Sequence, residues 1–303
     1  MAVQTKLNIK INSEKKKPNF MCLILNTKGT KNSFNGKILG LTLAEWIGFS
    51  CEDMPYEVLD YDKSESILEF AKKHVDMAFD YTIILLSCTP LITNSTLKEI
   101  MEYAEFKNVN LCKLHMGYVV KNEYLQKSET LNLDSVYSQN LEDFYVVENK
   151  SQYTFAFKVL QERINSFHIA NGVDIVNPVT TYIEPFVDIK SGVKIFPNNT
   201  LKGKTTIASD VILKENNVIE NSKIGKSSCV SNSEINNSII AENVFVASFS
   251  SITDSIIGHD VIIENYCKIN KFNINANEYI KANSNLGDTN DSNSRAGQSG
   301  QKL

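Results

Sequence analysis

The chain has 303 residues, and at about 150 residues per domain this length predicts two domains. It is 42% hydrophobic and 22% charged, values typical of globular proteins, and its net charge of −4 argues against nucleic acid as a partner. No apolar run reaches the ~18 residues of a membrane span. We therefore expect no membrane partner. Six cysteines without a CxxC pair indicate reduced thiols, so we expect a cytoplasmic protein.

Strand-like and helix-like segments alternate in the first half of the chain. Short apolar runs predict strands at residues 21–25, 56–61, 82–86 and 109–116. Apolar residues at helical spacing predict helices at 37–49 and 63–77, and a third that begins at Asn94 or Ser95 and ends near Phe106. Residues 126–141 predict only a loop or a short helix. This alternation favours a parallel sheet with crossover helices, a Rossmann-like α/β domain over residues 21–150 that follows a flexible arm at 1–20.

Residues 151–172 have the pattern of an amphipathic helix. Tyr153, Phe157, Leu160, Ile164 and Phe167 recur three or four positions apart and so share one stripe of the helix surface. We expect this helix to connect the two halves of the chain.

Aliphatic residues then recur every six positions, starting with Ile183, Ile189 and Ile195 and continuing to Ile219. The phase slips by one residue at Ile224, and the series resumes as far as Ile280. A period of six fits neither a helix nor a meander, and it is typical of a parallel β-helix in which each hexad forms one side of a coil. We therefore expect an α/β + β protein with a β-helix at 173–280. The tail at 281–303 is rich in Asn, Ser, Gly and Asp, which predicts disorder.

The order of these parts resembles the bacterial bifunctional family that joins a UDP-N-acetylglucosamine pyrophosphorylase to a glucosamine-1-phosphate N-acetyltransferase. The clearest matches are ERIN (162–165), NGV (171–173), TTYIEP (180–185), IFPNNTLKGKTTI (195–207) and NSKIGKSSCV (221–230). Weaker ones are LILNTKGTK (23–31) and TIILLSCTPLIT (82–93). The resemblance implies a reduced nucleotidyltransferase domain before a left-handed β-helix, and a role in making UDP-N-acetylglucosamine, a cell-wall (peptidoglycan) precursor.

The resemblance also implies a nucleotide-binding site after the first strand. Gly29 and Thr30 keep the family's glycine-rich turn, Lys31 stands where the family has arginine, and Lys37 matches a phosphate-binding lysine. Such a turn lets backbone N–H groups approach phosphates closely. For Lys37 the alternative is an ordinary solvated lysine at the start of a helix.

The family's metal site is altered in this sequence. Cys88 stands where the family has an aspartate ligand for Mg²⁺, and the second ligand position falls at Glu148, with Asn149 beside it. A thiol is a soft ligand and a poor partner for Mg²⁺. We therefore expect at most a weak Mg²⁺ site at Glu148 and Asn149. The alternative for Cys88 is a small residue that ends a buried strand.

Both catalytic halves of the family are incomplete here. The first half lacks counterparts of the segments that hold the uracil base and the sugar. The chain ends before the coils that carry the family's catalytic histidine, and His259 is expected to be an exposed corner residue. The family's arginine is replaced near Thr253, and Asn270 replaces a lysine. We therefore expect acetyl transfer to be lost.

Two hypotheses follow from the sequence. The first is a truncated, catalytically impaired relative, a pseudoenzyme that binds a nucleotide or UDP-sugar or assembles with a full-length enzyme. The second is an active uridylyltransferase with an altered metal site, which converts a sugar-1-phosphate and UTP into a UDP-sugar and pyrophosphate. An acyltransferase for another substrate is a third possibility. Members of the β-helix fold usually trimerise, so the resemblance implies a homotrimer and supports the first hypothesis.

Overall fold

The computed structural model describes residues 19–27, 36–52 and 54–287. The described residues form two compact units, one with residues 19–27 and 43–148 and the other with residues 36–42 and 149–287. The segment 36–42 thus belongs to the unit that contains the β-helix. The flexible arm expected at 1–20 lies outside the described residues except for its last two, and so does residue 288 onward of the expected disordered tail.

The elements before the β-helix are β1 (Phe20–Asn26), β2 (Lys37–Ile38), β3 (Leu41–Thr42), α1 (Leu43–Cys51), β4 (Tyr56–Asp60), α2 (Ile67–Lys72), β5 (Tyr81–Leu86), α3 (Asn94–Lys107), β6 (Leu111–Leu114), β7 (Gly117–Lys121), α4 (Asn122–Lys127), β8 (Ser135–Val136) and α5 (Lys150–Ala170), with a 3-10 turn at Leu141–Phe144. All four predicted strands are present, although β6 is shorter than predicted. The helix predicted at 63–77 is also shorter, and the region 126–141 contains a short strand that the sequence did not indicate.

The first unit is built on a six-stranded sheet with the order β4-β1-β5-β7-β6-β8. β1 is parallel to both β4 and β5, but β7 is antiparallel to β5 and β6. The prediction of an all-parallel sheet is therefore wrong at β7. The cause is a tight hairpin after β6, which enters β7 at Gly117 with a φ of 149°. A Cβ atom there would lie 2.0 Å from the carbonyl oxygen of Ile84, so the position requires glycine.

Side chains of β1 pack on both faces of this sheet, as its continuous apolar sequence predicted. Cys22 and Ile24 join the core under α1 and α3, whereas Leu23 and Leu25 join the core under α2 and α4. The sheet is thus buried between two helical layers. Side chains that could contact a ligand are therefore expected at the ends of its strands.

Two helix starts differ from the predictions. Residues 37–42 form the β2–β3 hairpin, because Leu39 and Gly40 adopt positive φ values of 46° and 83°, and α1 begins only at Leu43. The N-cap of α3 is Thr93, whose side chain accepts a hydrogen bond from the N–H of Thr96, so Asn94 and Ser95 are inside the helix. Left-handed backbone is costly for a leucine, so the sequence gives little sign that Leu39 adopts it. The helix predicted from residue 37 therefore starts too early.

The predicted connector helix is α5, which is confirmed with slightly different ends. It buries Ala156, Leu160, Asn165 and His168. The predicted apolar stripe fails at its last member, because Phe167 is 64% exposed. The buried face passes through His168 instead, one position further along the helix.

The β-helix strands are β9 (Asp174–Ile175), β10 (Tyr182–Ile183), β11 (Asp188–Ile189), β12 (Lys194–Ile195), β13 (Thr200–Lys202), β14 (Thr206–Ile207), β15 (Ile212–Leu213), β16 (Val218–Glu220), β17 (Lys223–Ile224), β18 (Cys229–Val230), β19 (Glu234–Asn236), β20 (Ile239–Ile240), β21 (Phe245–Val246), β22 (Ser251–Thr253), β23 (Ile256–Ile257), β24 (Ile262–Ile263), β25 (Lys268–Asn270), β26 (Asn273–Ile274), β27 (Tyr279–Ile280) and β28 (Asn285–Gly287).

These strands form three parallel sheets, the faces of a β-helix of about seven turns that matches the left-handed hexapeptide type. Face 1 runs from β10 to β28, face 2 from β11 to β26 and face 3 from β9 to β27, each taking every third strand. We number the coils from β10–β12 (coil 1) to β25–β27 (coil 6). Because β28 starts a further coil, the disorder expected from residue 281 is wrong for residues 285–287.

The predicted six-residue period is confirmed as the inward column of the β-helix. Its members, from Ile183 to Ile280, are buried and form one continuous core. The phase slip at Ile224 is a shortened corner, and it recurs at Ile235, Ile240, Ile257 and Ile274, so the series does not return to an unbroken six-residue period. Thr200 pairs with Val218, 18 residues on, but Val218 pairs with Glu234, 16 residues on, because two shortened corners lie between them, and the coils stay in register.

A second inward column is polar and stacks one coil on the next. Ser238 accepts a hydrogen bond from the N–H of Ser255 at 3.1 Å, and the hydroxyl of Ser255 accepts one from the N–H of Phe272 at 3.1 Å. Each hydroxyl thereby satisfies a buried backbone donor at a corner, where no strand partner is available.

Within the described residues no helix is long and apolar enough to cross a membrane.

Candidate functional site

The order of strands in the first unit defines where a ligand would bind. The chain passes from β1 to β4 on one side and then returns to β5 on the other side of β1. At such a reversal the loops that follow the two strands diverge and leave a crevice at their carboxyl ends. The candidate site is therefore the edge at which β1, β4 and β5 end.

Polar side chains meet at this edge. The Asn26 amide nitrogen at the end of β1 donates to the carboxylate of Asp60 at the end of β4, at 2.9 Å. The Ser87 hydroxyl, directly after β5, lies 3.5 Å from the Asn26 side-chain oxygen. The Asn26 side chain thus contacts a side chain at the end of each neighbouring strand, Asp60 at the end of β4 and Ser87 after β5.

Cys88 lies next to this group and is half-buried. Its carbonyl oxygen accepts a hydrogen bond from the N–H of Val147 at 2.8 Å, which brings Glu148 near the end of β5. Burial and, to a lesser extent, the negative charge of Glu148 raise the pKa of the Cys88 thiol to about 11, and the positive charge of Lys63 opposes them. The thiol is therefore protonated at neutral pH, which makes it a weak nucleophile.

The residues at the predicted metal positions do not fit Mg²⁺. A protonated thiol offers no anionic ligand, and Mg²⁺ prefers several hard oxygen ligands in octahedral geometry. The side-chain oxygen of Asn149 caps α5 by accepting the N–H of Gln152 at 3.0 Å. Among the described residues, no group of three or more His, Cys, Asp or Glu side chains is arranged to hold a metal ion.

Of the predicted nucleotide-binding residues, Gly29, Thr30 and Lys31 lie outside the described residues. Lys37 is exposed, as its alternative as a solvated lysine predicted, but it lies in β2 and not at the start of a helix. The Tyr153 hydroxyl of α5 donates to the Lys37 carbonyl oxygen at 2.9 Å, which fixes the hairpin on α5. Lys37 thus belongs to the second unit, whereas Cys88 and Glu148 belong to the first.

Close contacts fix the same hairpin on the first coils of the β-helix. A Cβ atom on Gly40 would lie 2.8 Å from the carboxyl carbon of Glu184. The Glu184 carboxylate also accepts the N–H of Gly203 at 2.8 Å and the hydroxyl of Tyr182 at 3.2 Å. Burial and this carboxylate raise the pKa of Tyr182, which therefore remains a hydrogen-bond donor at neutral pH.

Sequence reasoning missed Asn26, Ser87 and Lys63 as members of the candidate site. The available signal was position, because each follows or ends a predicted parallel strand near the reversal of strand order. In the β-helix, His259 is an exposed corner residue as predicted, and its ring nitrogen lies 2.7 Å from Asp260.

The fold and site define an α/β domain joined to a hexapeptide-repeat β-helix. Residues 188–300 match the family model described as GlmU-like, C-terminal hexapeptide. Bifunctional protein GlmU of Clostridium acetobutylicum is 41% identical over 86 residues, which are 28% of this chain and 19% of that protein. GlmU of Clostridioides difficile is 32% identical over 108 residues, 36% of this chain and 24% of that protein.

The resemblance stated from the sequence is thus confirmed for the C-terminal part of the chain. The matched segment spans about a fifth to a quarter of the length of these GlmU proteins. A solved structure of perosamine N-acetyltransferase from Caulobacter crescentus aligns with 88% of this chain and 90% of its own at a TM-score of 0.30 and 7% identity.

Proposed function

We propose that this chain is a catalytically impaired relative of GlmU that serves cell-wall precursor synthesis by binding a nucleotide or UDP-sugar and by assembly. The observation that carries the proposal is the half-buried Cys88 thiol that follows β5, with Glu148 brought near it by the hydrogen bond between Val147 and Cys88. Transfer of a nucleotidyl group needs the charge of a triphosphate to be neutralised in position. The site has two carboxylates, Asp60 and Glu148, and a neutral thiol, and among the described residues these groups are not arranged to hold the metal that would do so.

The ligand would bind at the carboxyl ends of β1 and β5. Asn26 and Ser87 offer hydrogen-bonding groups to a ribose, sugar or phosphate, and Lys63 brings a positive charge close to Cys88. The predicted nucleotide-binding residues Gly29, Thr30 and Lys31 follow β1 directly in sequence. Lys37 remains a proposed phosphate ligand.

Assembly is the second part of the proposal. GlmU-like hexapeptide domains are commonly trimeric, and we propose a homotrimer formed through the β-helix. A full-length GlmU enzyme would be a further partner, since the matched coils are shared with it. Both roles would be exercised in the cytoplasm.

An active uridylyltransferase is the second candidate function. The carboxylate of Glu148 beside the end of β5 favours it, because a hard oxygen donor is placed near the strand that carries the family's ligand. Release of pyrophosphate from UTP would distinguish this candidate from the first.

Binding can be measured by titrating the purified chain with UDP-N-acetylglucosamine and UTP in a calorimeter. We expect saturable binding by the wild type and at least about a tenfold loss in Asn26→Ala, since a charged or polar ligand loses a paired group. Asn132→Ala, at an exposed position of the same unit, is the matched control. Absence of binding by a folded wild-type chain would contradict the proposal.

A further inference from the structure

Asp60 is placed at the candidate site by the sheet itself. It is the last residue of β4 and pairs in register with Asn26, the last residue of β1. The N–H of Tyr61 donates to the Asn26 carbonyl oxygen at 2.9 Å, so the hydrogen bonds between the two strands continue past Asp60. The Tyr61 side chain is buried, and its hydroxyl donates to the Glu65 carbonyl oxygen at 2.6 Å. Asp60 itself is exposed, so a fixed strand end presents its carboxylate to solvent.

A hydrogen bond also fixes the direction of this carboxylate. The Asn26 amide nitrogen donates to Oδ1 of Asp60 at 2.9 Å, which turns the carboxylate toward the end of β1. An ionised carboxylate has two oxygens and can accept about four hydrogen bonds. The bond from Asn26 therefore orients Asp60 and leaves it able to accept hydrogen bonds from the donors of a ligand.

The charges around the site differ between its two sides. The loop after β4 turns at Lys63, which has a φ of 65°, and the positive charge of Lys63 is close enough to Cys88 to oppose the rise in the pKa of that thiol. Beside the end of β5, Lys63 thus offsets the negative charge of Glu148. At the end of β4, the Asp60 carboxylate attracts hydroxyl donors and repels phosphate groups. A ligand with hydroxyls at one end and phosphates at the other, as a nucleotide has, matches this division.

We propose that Asp60 recognises the ribose of the bound nucleotide by accepting hydrogen bonds from its vicinal 2′- and 3′-hydroxyls. This inference rests on the proposed nucleotide binding, and it names the group by which the site selects a ribonucleotide over a 2′-deoxyribonucleotide. Asn26 acts as a positioning residue, because its amide holds the carboxylate. Acidic residues have this role in dinucleotide-binding α/β domains, whose ligands also bind at a reversal of strand order.

Calorimetric titration of the full chain with UTP and 2′-deoxy-UTP tests the assignment. We expect the wild type to bind UTP at least about tenfold more tightly, because a site built to pair with a hydroxyl rejects an analogue that lacks it. UTP contains no hexose, so this preference can come only from the ribose. Asp60→Ala should bind both nucleotides with equal affinity, and Asp60→Asn, which keeps a neutral acceptor, should fall between this variant and the wild type.

Two further variants separate recognition from structure. Asn26→Ala should lower the ratio of the two affinities, a change that a merely structural role would not produce. Glu57→Gln, which removes a charge at an exposed position of the same strand, is the matched control and should keep the wild-type ratio. Because Asp60 is exposed, circular dichroism should show unchanged folding in Asp60→Ala.

The possible failures of this test are distinct. Equal affinity of the wild type for UTP and 2′-deoxy-UTP would overturn the role of Asp60 and leave nucleotide binding intact. The same conclusion would follow if Asp60→Ala kept the wild-type preference, or if Glu57→Gln lost it to the same extent. A folded wild-type chain that binds neither nucleotide would instead contradict the nucleotide binding on which the inference rests.

Discussion

At the residue scale, the proposed loss of catalysis depends on the ionisation of Cys88. Burial and the nearby Glu148 carboxylate both favour the neutral thiol, since each disfavours a second negative charge at the same place. At the position where the resemblance implies an aspartate, the cysteine would therefore remove a charge as well as a hard ligand. The sequence alone shows that this residue is a cysteine. That Glu148 lies near it could not be predicted, because it depends on the hydrogen bond between Cys88 and Val147 in the folded chain.

The raised pKa of Cys88 predicts slow alkylation at neutral pH. Only the thiolate reacts, so the rate of modification by iodoacetamide should keep rising until the pH approaches about 11. Glu148→Gln removes a negative charge and should lower the pKa, which moves the rise to lower pH. The rate is measured at Cys88 by mass spectrometry of peptides, and Glu123→Gln on α4 is the control. A profile centred near pH 8.5, the value of a free thiol, would refute this description of the site.

His168 gives a second prediction at this scale. Burial lowers the pKa of its ring below the ordinary 6.5, with the Asp188 charge opposing the shift. The unfolded chain therefore takes up a proton at a higher pH than the folded chain does. The resulting stability is present above pH 6.5 and is lost as the pH falls through the folded pKa. Urea unfolding at pH 7.5 and 5.5 should show a smaller loss on acidification in His168→Gln than in the wild type, with His259→Gln as the exposed control. An equal loss in all three chains would contradict the prediction.

At the scale of single elements, sequence periodicity predicted the β-helix strands well and the hairpins poorly. Each inward aliphatic residue repeats under the same steric constraint, so the pattern survives even where a corner loses a residue. The β2–β3 hairpin depends on the left-handed backbone of Leu39 and Gly40, and the β6–β7 hairpin depends on the space beside Gly117. Such single positions leave little trace in hydrophobic spacing, and the site residue Asn26 was overlooked because its role depends on which strands are neighbours.

The polar column inside the β-helix yields a prediction for one element. Ser238 is 2% exposed, and its hydroxyl donates to the Asn236 carbonyl at 2.7 Å while it accepts the N–H of Ser255 at 3.1 Å. Ser238→Ala leaves a buried donor without a partner and should lower the free energy of unfolding by about 1–3 kcal/mol. Ser251→Ala on face 1 is the matched control and should change it by less than about 0.5 kcal/mol. Comparable losses in both variants would show that the column does not stack the coils.

At the scale of the whole molecule, the two units have different proposed roles. The first carries the proposed ligand site at a reversal of strand order, and its residues suit binding better than nucleotidyl transfer. The second carries the β-helix, through which assembly is proposed. Because the two roles use different residues, outward substitutions on the β-helix should leave ligand binding intact, and variants at Asn26 should leave assembly intact.

The measurement that tests the central claim most directly is the release of pyrophosphate from UTP and N-acetylglucosamine-1-phosphate in the presence of Mg²⁺ or Mn²⁺. We expect no turnover by the wild-type chain above a blank without protein. Cys88→Asp, assayed beside it, shows whether a restored carboxylate can revive the reaction. Wild-type turnover that falls in Lys37→Ala would contradict impairment and establish an active uridylyltransferase.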